Sequence, residues 1–164
     1  MRNHGSKPKY YHKYVGGNFR LDPIQAAVVL AKLPHLEKWH EGRRANAAWY
    51  DQRFADCPAV VTPVEREGNR MIYNQYVIRI KDADGGAGAR DRVIEHLKEK
   101  NIGHAVYYPV PLHLQECFAD LGYEEGAFPH SEQAAREVLA IPVYPELTRE
   151  QQEEVADAVL DVVG

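Results

Sequence analysis

Residues 16–27 of this chain read Gly-Gly-Asn-Phe-Arg-Leu-Asp-Pro-Ile-Gln-Ala-Ala, a loop that runs into the start of a helix. The two glycines permit close backbone approach, and Asn18 and Arg20 offer side-chain hydrogen-bond donors. Asp22 can cap the helix, and Pro23 suits its first turn. Because donors at a helix N-terminus favour negative charge, the stretch predicts an anion-binding loop that leads into a helix.

The composition is that of an ordinary globular protein. The chain has 164 residues, of which 45% are hydrophobic and 27% are charged, which is enough for one hydrophobic core. The two cysteines, Cys57 and Cys117, have no disulfide-like or metal-like spacing, and they fit a reducing compartment. No apolar run approaches the roughly 18 residues that span a bilayer. We therefore expect a soluble, cytoplasmic protein that does not enter a membrane.

The charge is distributed unevenly along the chain. Residues 1–20 carry five basic side chains and no acidic one, a net charge of +5, whereas the remaining residues carry −9. Tyrosines interleave with the basic residues, and such a mixture can bind nucleic acid through phosphate contacts and base stacking. The acidic remainder would repel a polyanion. The pattern therefore disfavours nucleic acid and favours a solvated loop or a loop over a smaller phosphorylated ligand.

Helical and strand patterns alternate along the chain and predict an α/β or α+β domain with a small sheet covered by helices. The predicted helices are Pro23–Leu33, Pro34–Phe54, Arg90–Lys100, Leu114–Leu121, a helix from Ser131 that ends before Ile141, and a last helix capped by Thr148 and Gln151. The predicted strands are Val60–Thr62, Tyr73–Ile80 and His104–Tyr108.

The segment from Tyr107 to His113 is the other candidate site. It follows a predicted strand, contains Pro109 and Pro111, and presents two phenols and an imidazole. Such groups suit hydrogen bonding and stacking against a sugar or nucleotide. Packing is an equally good explanation for Tyr107 and Tyr108. For His113 we expect little apolar cover, which favours a functional role. The eight histidines show no metal-ligand spacing, so no metal is predicted.

Together these motifs identify the chain as a member of the DegT/DnrJ/EryC1/StrS family of nucleotide-sugar aminotransferases, which depend on pyridoxal 5'-phosphate (PLP). The resemblance begins with Gly-x-Asn-x-Arg-x-x-x-x-Gln-Ala-Ala at 16–27. The further markers, in chain order, are His4-Gly5, Lys9-Tyr10-Tyr11-His12, Arg43 with Tyr50, Tyr107-Tyr108-Pro109, Leu112-His113-Leu114-Gln115 and Ile141-Pro142-Val143-Tyr144-Pro145. They cover nearly the whole chain.

The resemblance implies the small C-terminal domain of an aspartate-aminotransferase-type (fold type I) PLP enzyme, together with a long linking helix. We expect three segments: a basic and aromatic loop at 1–22, linking helices at 23–55, and the small α/β domain at 56–164. The family's lysine that holds PLP covalently lies upstream of the His-Gly element, and nothing in this sequence matches it. We therefore expect no catalytic residue here and no binding of PLP by this chain alone.

The resemblance also implies roles for individual residues. Asn18 matches the asparagine that reaches across the dimer to the cofactor phosphate, and Arg20 matches a nearby position that assists the phosphate or braces the loop. The expected contacts to the nucleotide-diphosphate sugar are His113, Tyr107, Tyr108, His4 and Tyr11. Arg43 is expected to form a helix–helix or dimer salt bridge.

Two functions follow from this sequence. In the first, the chain is the C-terminal part of an aminotransferase that moves an amino group, commonly from glutamate, to a nucleotide-linked keto-sugar, and works as a homodimer. In the second, it is a stand-alone, non-catalytic domain that binds a nucleotide-sugar or another subunit.

Overall fold

The computed structural model describes residues 2–8, 10–82 and 88–164. They fall into two units, Met1–Glu37 and Lys38–Gly164, and each is described by itself. The three functional segments expected from the sequence are a finer division, and they remain a prediction. Lys9 and most of the glycine-rich stretch at 82–88, which was expected to be a surface turn, lie outside the described residues.

The first unit contains a loop and one helix, α1, at Pro23–Lys32. The carboxylate of Asp22 accepts hydrogen bonds from the backbone N–H groups of Ile24 at 2.9 Å and Gln25 at 3.3 Å, and Pro23 occupies the first turn. The predicted cap and helix start are therefore confirmed. A short 3₁₀ helix at Leu33–His35 separates α1 from the long helix α2 at Leu36–Phe54, so the two helices do not form one continuous α-helix.

The second unit is built on a three-stranded antiparallel sheet in the order β1-β2-β3. Its strands are β1 at Val60–Val61, β2 at Tyr76–Ile80 and β3 at Val138–Ile141. In β2, buried residues alternate with half-buried ones, as expected of a strand with one face on the core. The predicted small sheet is thus confirmed, whereas its third strand is not the expected one.

The prediction of a strand at His104–Tyr108 was wrong for all but one residue. Only Ala105 pairs, with Ala140 of β3, through backbone hydrogen bonds of 3.1 and 2.8 Å. Pro109 and Pro111 lack a backbone N–H, so the ladder cannot extend past Tyr108. The true third strand, Val138–Ile141, follows a helix without a turn and is uniformly apolar, so its sequence has no alternation to distinguish it from a helix end.

Helices surround the sheet of the second unit. They are α3 at Ala89–Glu99, α4 at Pro129–Glu137 and α5 at Arg149–Val163, with two 3₁₀ segments at Leu112–Leu114 and Glu116–Leu121. The short helix expected at Leu114–Leu121 is thus present as a 3₁₀ helix at Glu116–Leu121. The capping box that starts α5 is confirmed, because Thr148 and Gln151 each accept the other's backbone N–H through a side-chain oxygen.

The core of the second unit lies where β2 meets helices α2, α3 and α5. Its fully buried members include Tyr50, Tyr76, Ile78, Leu97 and Val159. In the described parts of the chain, no helix has both the length and the apolar composition needed to cross a bilayer.

Candidate functional site

The N-terminal loop, residues 2–8 and 10–22, is held in shape by its own backbone. Asn3 forms an antiparallel bridge with Asn18, and Ser6 forms one with His12. The N–H of His4 donates to the carbonyl of Gly17 at 3.0 Å, and the N–H of Phe19 donates to the carbonyl of Arg2 at 3.1 Å. These bonds join the start of the chain to the Gly-x-Asn-x-Arg stretch, so the loop presents Asn18 from a defined backbone.

Gly5 permits the tightest approach within the N-terminal loop. Its φ is +72°, and a Cβ at this position would lie 1.8 Å from the carbonyl oxygen of Tyr14. The N–H of Lys13 donates to the carbonyl of Gly5 at 2.9 Å. Because a side chain would meet backbone rather than a movable group, this position requires glycine.

The two predicted phosphate contacts differ in how their side chains are engaged. The side chain of Asn18 is exposed and makes no hydrogen bond within the described residues. The guanidinium of Arg20 donates to the side-chain oxygen of Asn3. Arg20 therefore braces the loop, one of the two roles left open for it, whereas the carboxamide of Asn18 is available to a ligand.

His4 and Tyr11, the weaker candidates in the N-terminal loop, do not converge. His4 lines a shallow cavity of about 470 Å³ together with His12, Lys13 and Tyr14, and Tyr11 is not part of its lining. The Nδ1 of His12 donates to the carbonyl of His4 at 2.8 Å, since a carbonyl can only accept. Tyr11 is 72% exposed. The substrate role of both residues remains a prediction.

Tyr107 and Tyr108 lie in the second unit and face different cavities. Their ring centroids are 5.9 Å apart at an interplanar angle of 70°. Tyr107 lines a cleft of about 430 Å³, whereas Tyr108 lines a separate cavity of about 540 Å³ with Pro109 and Leu112. Tyr108 is 74% exposed and Tyr107 is 40% exposed. Both phenols are thus accessible, as a ligand-binding role requires, although they do not line a common cavity.

His113 is far better covered than the sequence suggested. Its side chain is only 7% exposed, and its ring stands edge-on to Phe128 with centroids 4.8 Å apart. The ring Nε2 lies 2.9 Å from a carboxylate oxygen of Glu132. The expectation of little apolar cover was therefore wrong, because the segment after Gly122 folds back over the imidazole. A substrate contact by His113 remains a prediction.

Glu132, which the sequence analysis did not single out, is the centre of this cluster. Its carboxylate accepts hydrogen bonds from the backbone N–H groups of Gly126 at 2.9 Å and Phe128 at 3.1 Å in addition to the His113 contact. Burial disfavours the charged carboxylate, but these hydrogen bonds outweigh it and hold the pKa of Glu132 below its usual value. The sequence did contain a signal for this role, since Glu132 lies in the first turn of α4 and shortly after a glycine-containing loop.

The described residues fit only part of a PLP site. The exposed carboxamide of Asn18 suits a phosphate contact. A lysine that holds PLP needs a lowered pKa, which burial provides, yet every lysine among the described residues is exposed. None of the described lysines is therefore suited to hold PLP covalently. Within the described ranges, no group of three or more His, Cys, Asp or Glu side chains is placed to hold a metal ion.

Comparisons with known proteins show which family the chain belongs to. Residues 1–160 match the DegT/DnrJ/EryC1/StrS aminotransferase family. The chain is 47% identical, over 98% of its length and 42% of the relative, to a "Pleiotropic regulatory protein" of Geobacillus stearothermophilus. It is 37% identical, over 97% of its length and 40% of the relative, to a dTDP-3-amino-3,4,6-trideoxy-alpha-D-glucose transaminase of Streptomyces venezuelae.

The fold is similar to solved aminotransferases over the same span. The crystal structure of S. venezuelae DesV in complex with a ketimine intermediate matches with a TM-score of 0.88 and 37% identity, over 98% of this chain and 41% of that chain. The chain thus spans about two fifths of the length of its relatives, and it has the α/β fold expected of the small domain of a fold type I PLP enzyme. This protein chain belongs to the DegT/DnrJ/EryC1/StrS aminotransferase family.

Proposed function

We propose that this chain is the C-terminal segment of a PLP-dependent aminotransferase that transfers an amino group, from glutamate, to a keto-sugar carried on a nucleoside diphosphate. The family match over residues 1–160 carries the proposal. Relatives at 37% and 35% identity are named as transaminases of a dTDP-linked and a UDP-linked amino sugar. The accessible phenols of Tyr107 and Tyr108 are of the chemical type that such ligands contact.

In this proposal the chain positions ligands, and the covalent chemistry belongs to another part of the enzyme. Asn18 donates from its carboxamide to the cofactor phosphate, and Arg20 holds the loop that presents it. We propose nucleotide-sugar contacts for Tyr107, Tyr108 and His113 in the second unit and, separately, for His4 and Tyr11 in the first. The lysine comes from a large domain outside these 164 residues, so the chain alone neither binds PLP covalently nor turns over substrate.

Helix α1 supports the need for further protein around this chain. None of its residues is buried, and Ile24, Val29 and Leu30 are 74%, 52% and 66% exposed. At about 100° per residue, Val29 and Leu30 lie roughly 140° and 240° around the helix from Ile24. A helix that is apolar on several sides is typical of a buried helix. We propose that the large domain and a second subunit, in a homodimer, cover it in the complete cytoplasmic enzyme.

The decisive experiment reads the genomic DNA upstream of codon 1 and assays the complete reading frame. We expect an in-frame large domain with a lysine motif, and transamination by glutamate of dTDP- or UDP-linked keto-sugars. The Asn18→Ala variant should weaken PLP binding about tenfold, the value of one hydrogen bond to a charged group. An independent promoter and ribosome site, with nucleotide-sugar binding by the 164-residue chain alone, would instead support the non-catalytic function.

The association surface has its own test in the 164-residue chain. We expect light scattering to show concentration-dependent self-association, because α1 is uncovered in the isolated chain. The paired replacement of Ile24 and Leu30 by Ser should reduce it. The matched control is Val64→Ser, since Val64 is 79% exposed but lies outside α1. Equal reduction by the control would contradict a role for α1.

A further inference from the structure

A cleft of about 430 Å³ in the second unit includes Tyr107 in its lining, together with polar residues that the function proposed above does not use. It lies where β2 begins and β3 ends, and its lining includes Arg43 from α2, Asn74 and Gln75 just before β2, and His104. None of its lining residues is an aspartate or a glutamate. Its volume is within the range of small-molecule sites, about 300–1,000 Å³. The cleft therefore combines a cation, two carboxamides and an imidazole without an internal counter-ion.

Arg43 is the main reason to regard this cleft as a binding site. It is half-buried, and its guanidinium forms no ion pair or hydrogen bond within the described residues, although an ion pair was expected of it. The adjacent Arg44 shows the contrast, because its guanidinium binds the carboxylate of Glu65 at 3.0 Å and the carbonyl of Met71 at 2.7 Å. A partly desolvated guanidinium without an anion is unfavourable, and its planar donors match a carboxylate or phosphate in geometry.

The second unit is acidic, which makes the absence of an acidic partner for Arg43 among the described residues notable. Residues 38–164 carry 14 basic and 22 acidic side chains, a net charge of −8. Acidic residues are thus abundant in this unit, and most of its other arginines form an ion pair with one of them. Examples are the pairs Arg53–Asp157 and Arg79–Glu137. A cleft that contains arginine and excludes acids within such a unit is complementary to an anionic ligand.

The remaining polar groups of the cleft can accept hydrogen bonds. The Nδ1 of His104 lies 3.0 Å from the carbonyl of Ile102, and it must donate because a carbonyl only accepts. In the neutral ring, Nε2 is therefore the acceptor. The carboxamides of Asn74 and Gln75 are exposed, form no hydrogen bond within the described chain, and offer acceptor oxygens as well. Acceptors beside a guanidinium suit a ligand that carries an ammonium group as well as a carboxylate.

We propose that this cleft binds a small α-amino acid, with its carboxylate on Arg43 and its ammonium group on acceptors supplied by His104, Asn74 and Gln75. The proposal rests on the proposed function only for the choice of glutamate, the amino donor, as the amino acid. If glutamate is the ligand, the cleft is where the second unit admits or retains the amino donor, next to the nucleotide-sugar contact proposed for Tyr107.

The test is an NMR titration of the ¹⁵N-labelled 164-residue chain with three probes: L-glutamate, glutarate and inorganic phosphate. We expect L-glutamate to shift the side-chain amide signals of Asn74 and Gln75. Glutarate should bind several-fold more weakly, because it lacks the ammonium group. Arg43→Gln should weaken L-glutamate binding at least about tenfold, as expected for a charged hydrogen-bonded pair. Arg43→Lys should be intermediate, since it keeps the charge and loses the planar fork.

Arg66→Gln is the matched control, because Arg66 is exposed, lies outside the cleft and has a side chain with no partner within the described residues. It should leave the titration unchanged. Absence of any shift in these amides, or equal binding by the Arg43→Gln variant, would overturn the proposal. Equal binding of phosphate and L-glutamate would overturn the amino-acid assignment and leave a general anion site. None of these outcomes depends on PLP or on a nucleotide-sugar, so failure here is distinct from failure of the proposed function.

Discussion

Replacing Tyr76 by Phe is expected to destabilise the second unit, whereas the same replacement at Tyr50 is expected to stabilise it or leave it unchanged. Both side chains are fully buried, and their ring centroids lie 5.3 Å apart. The hydroxyl of Tyr76 donates to the carboxylate of Asp51 at 2.6 Å. The hydroxyl oxygen of Tyr50 has no hydrogen-bond partner among the described residues. Both variants therefore remove a buried hydroxyl oxygen, which is hydrogen-bonded in Tyr76 and unpaired in Tyr50.

The magnitudes follow from that difference in pairing. Tyr76→Phe loses a hydrogen bond to a charged group, which contributes about 1.5–3 kcal/mol. Tyr50→Phe removes a buried and unpaired hydroxyl, whose desolvation costs about 1–3 kcal/mol. The free energies of unfolding of the two variants should thus differ by about 2 kcal/mol or more. Burial raises the pKa of both phenols, so neither ionises near neutral pH.

The measurement is urea unfolding followed by circular dichroism, with the free energy of unfolding obtained by linear extrapolation and the m-values compared. A difference of about 2 kcal/mol corresponds to roughly 4–8 °C in Tm for a chain of this size. Equal destabilisation by the two variants would refute the reasoning, because it would mean that the Tyr50 hydroxyl is as well paired as that of Tyr76. Tyr50 lies on α2 with Arg43, and Tyr76 follows Asn74 and Gln75, so the pair also supports both sides of the cleft.

Three further predictions concern local structure. Gly5→Ala should abolish hydrogen-exchange protection of the Lys13 amide, because the added methyl would lie 1.8 Å from a backbone oxygen; unchanged protection would contradict the described loop. The stability of the wild type relative to the Glu132→Gln variant should decrease as the pH falls below about 4.5, the ordinary pKa of glutamate. Because the pKa of Glu132 is lowered in the folded protein, its charged form stabilises the fold above this pH, and the stabilisation is lost as the carboxylate takes up a proton. A difference in Tm that does not change with pH would argue against it. Thr148→Ala should lower the free energy of unfolding by about 0.5–2 kcal/mol through loss of the α5 cap, as measured by urea unfolding.

Local signals in the sequence predicted the helices well. Asp22 with Pro23 and Thr148 with Gln151 are short-range caps, so their hydrogen bonds depend only on neighbouring residues. The β-branched and aromatic residues of Tyr73–Ile80 likewise predicted β2, which the structure has at Tyr76–Ile80. The strand Val138–Ile141 was missed, because its apolar run lacks a period and its pairing with β2 is distant in sequence.

The candidate sites likewise include features that local sequence predicts and features that depend on distant residues. The motif at 16–27 was enough to predict an anion loop, since close backbone approach and side-chain donors can be recognised from residue type. The family was predicted from this motif together with the other motifs that follow one another along the chain. The burial of His113 could not be predicted, because the covering Phe128 and the hydrogen-bonding Glu132 arrive from a later segment of the chain. The cleft around Arg43 was also unpredictable, since its polar residues come from segments far apart in sequence.

By itself, the sequence predicted the family, the helix caps and the loop that contains Asn18. Those properties are encoded in residues that are close together along the chain. Only the tertiary structure decided that Arg20 binds Asn3, that Glu132 engages His113 and that Arg43 lacks an acidic partner within the described residues. Whether a polar side chain is satisfied or available depends on which distant groups the fold brings within hydrogen-bond distance.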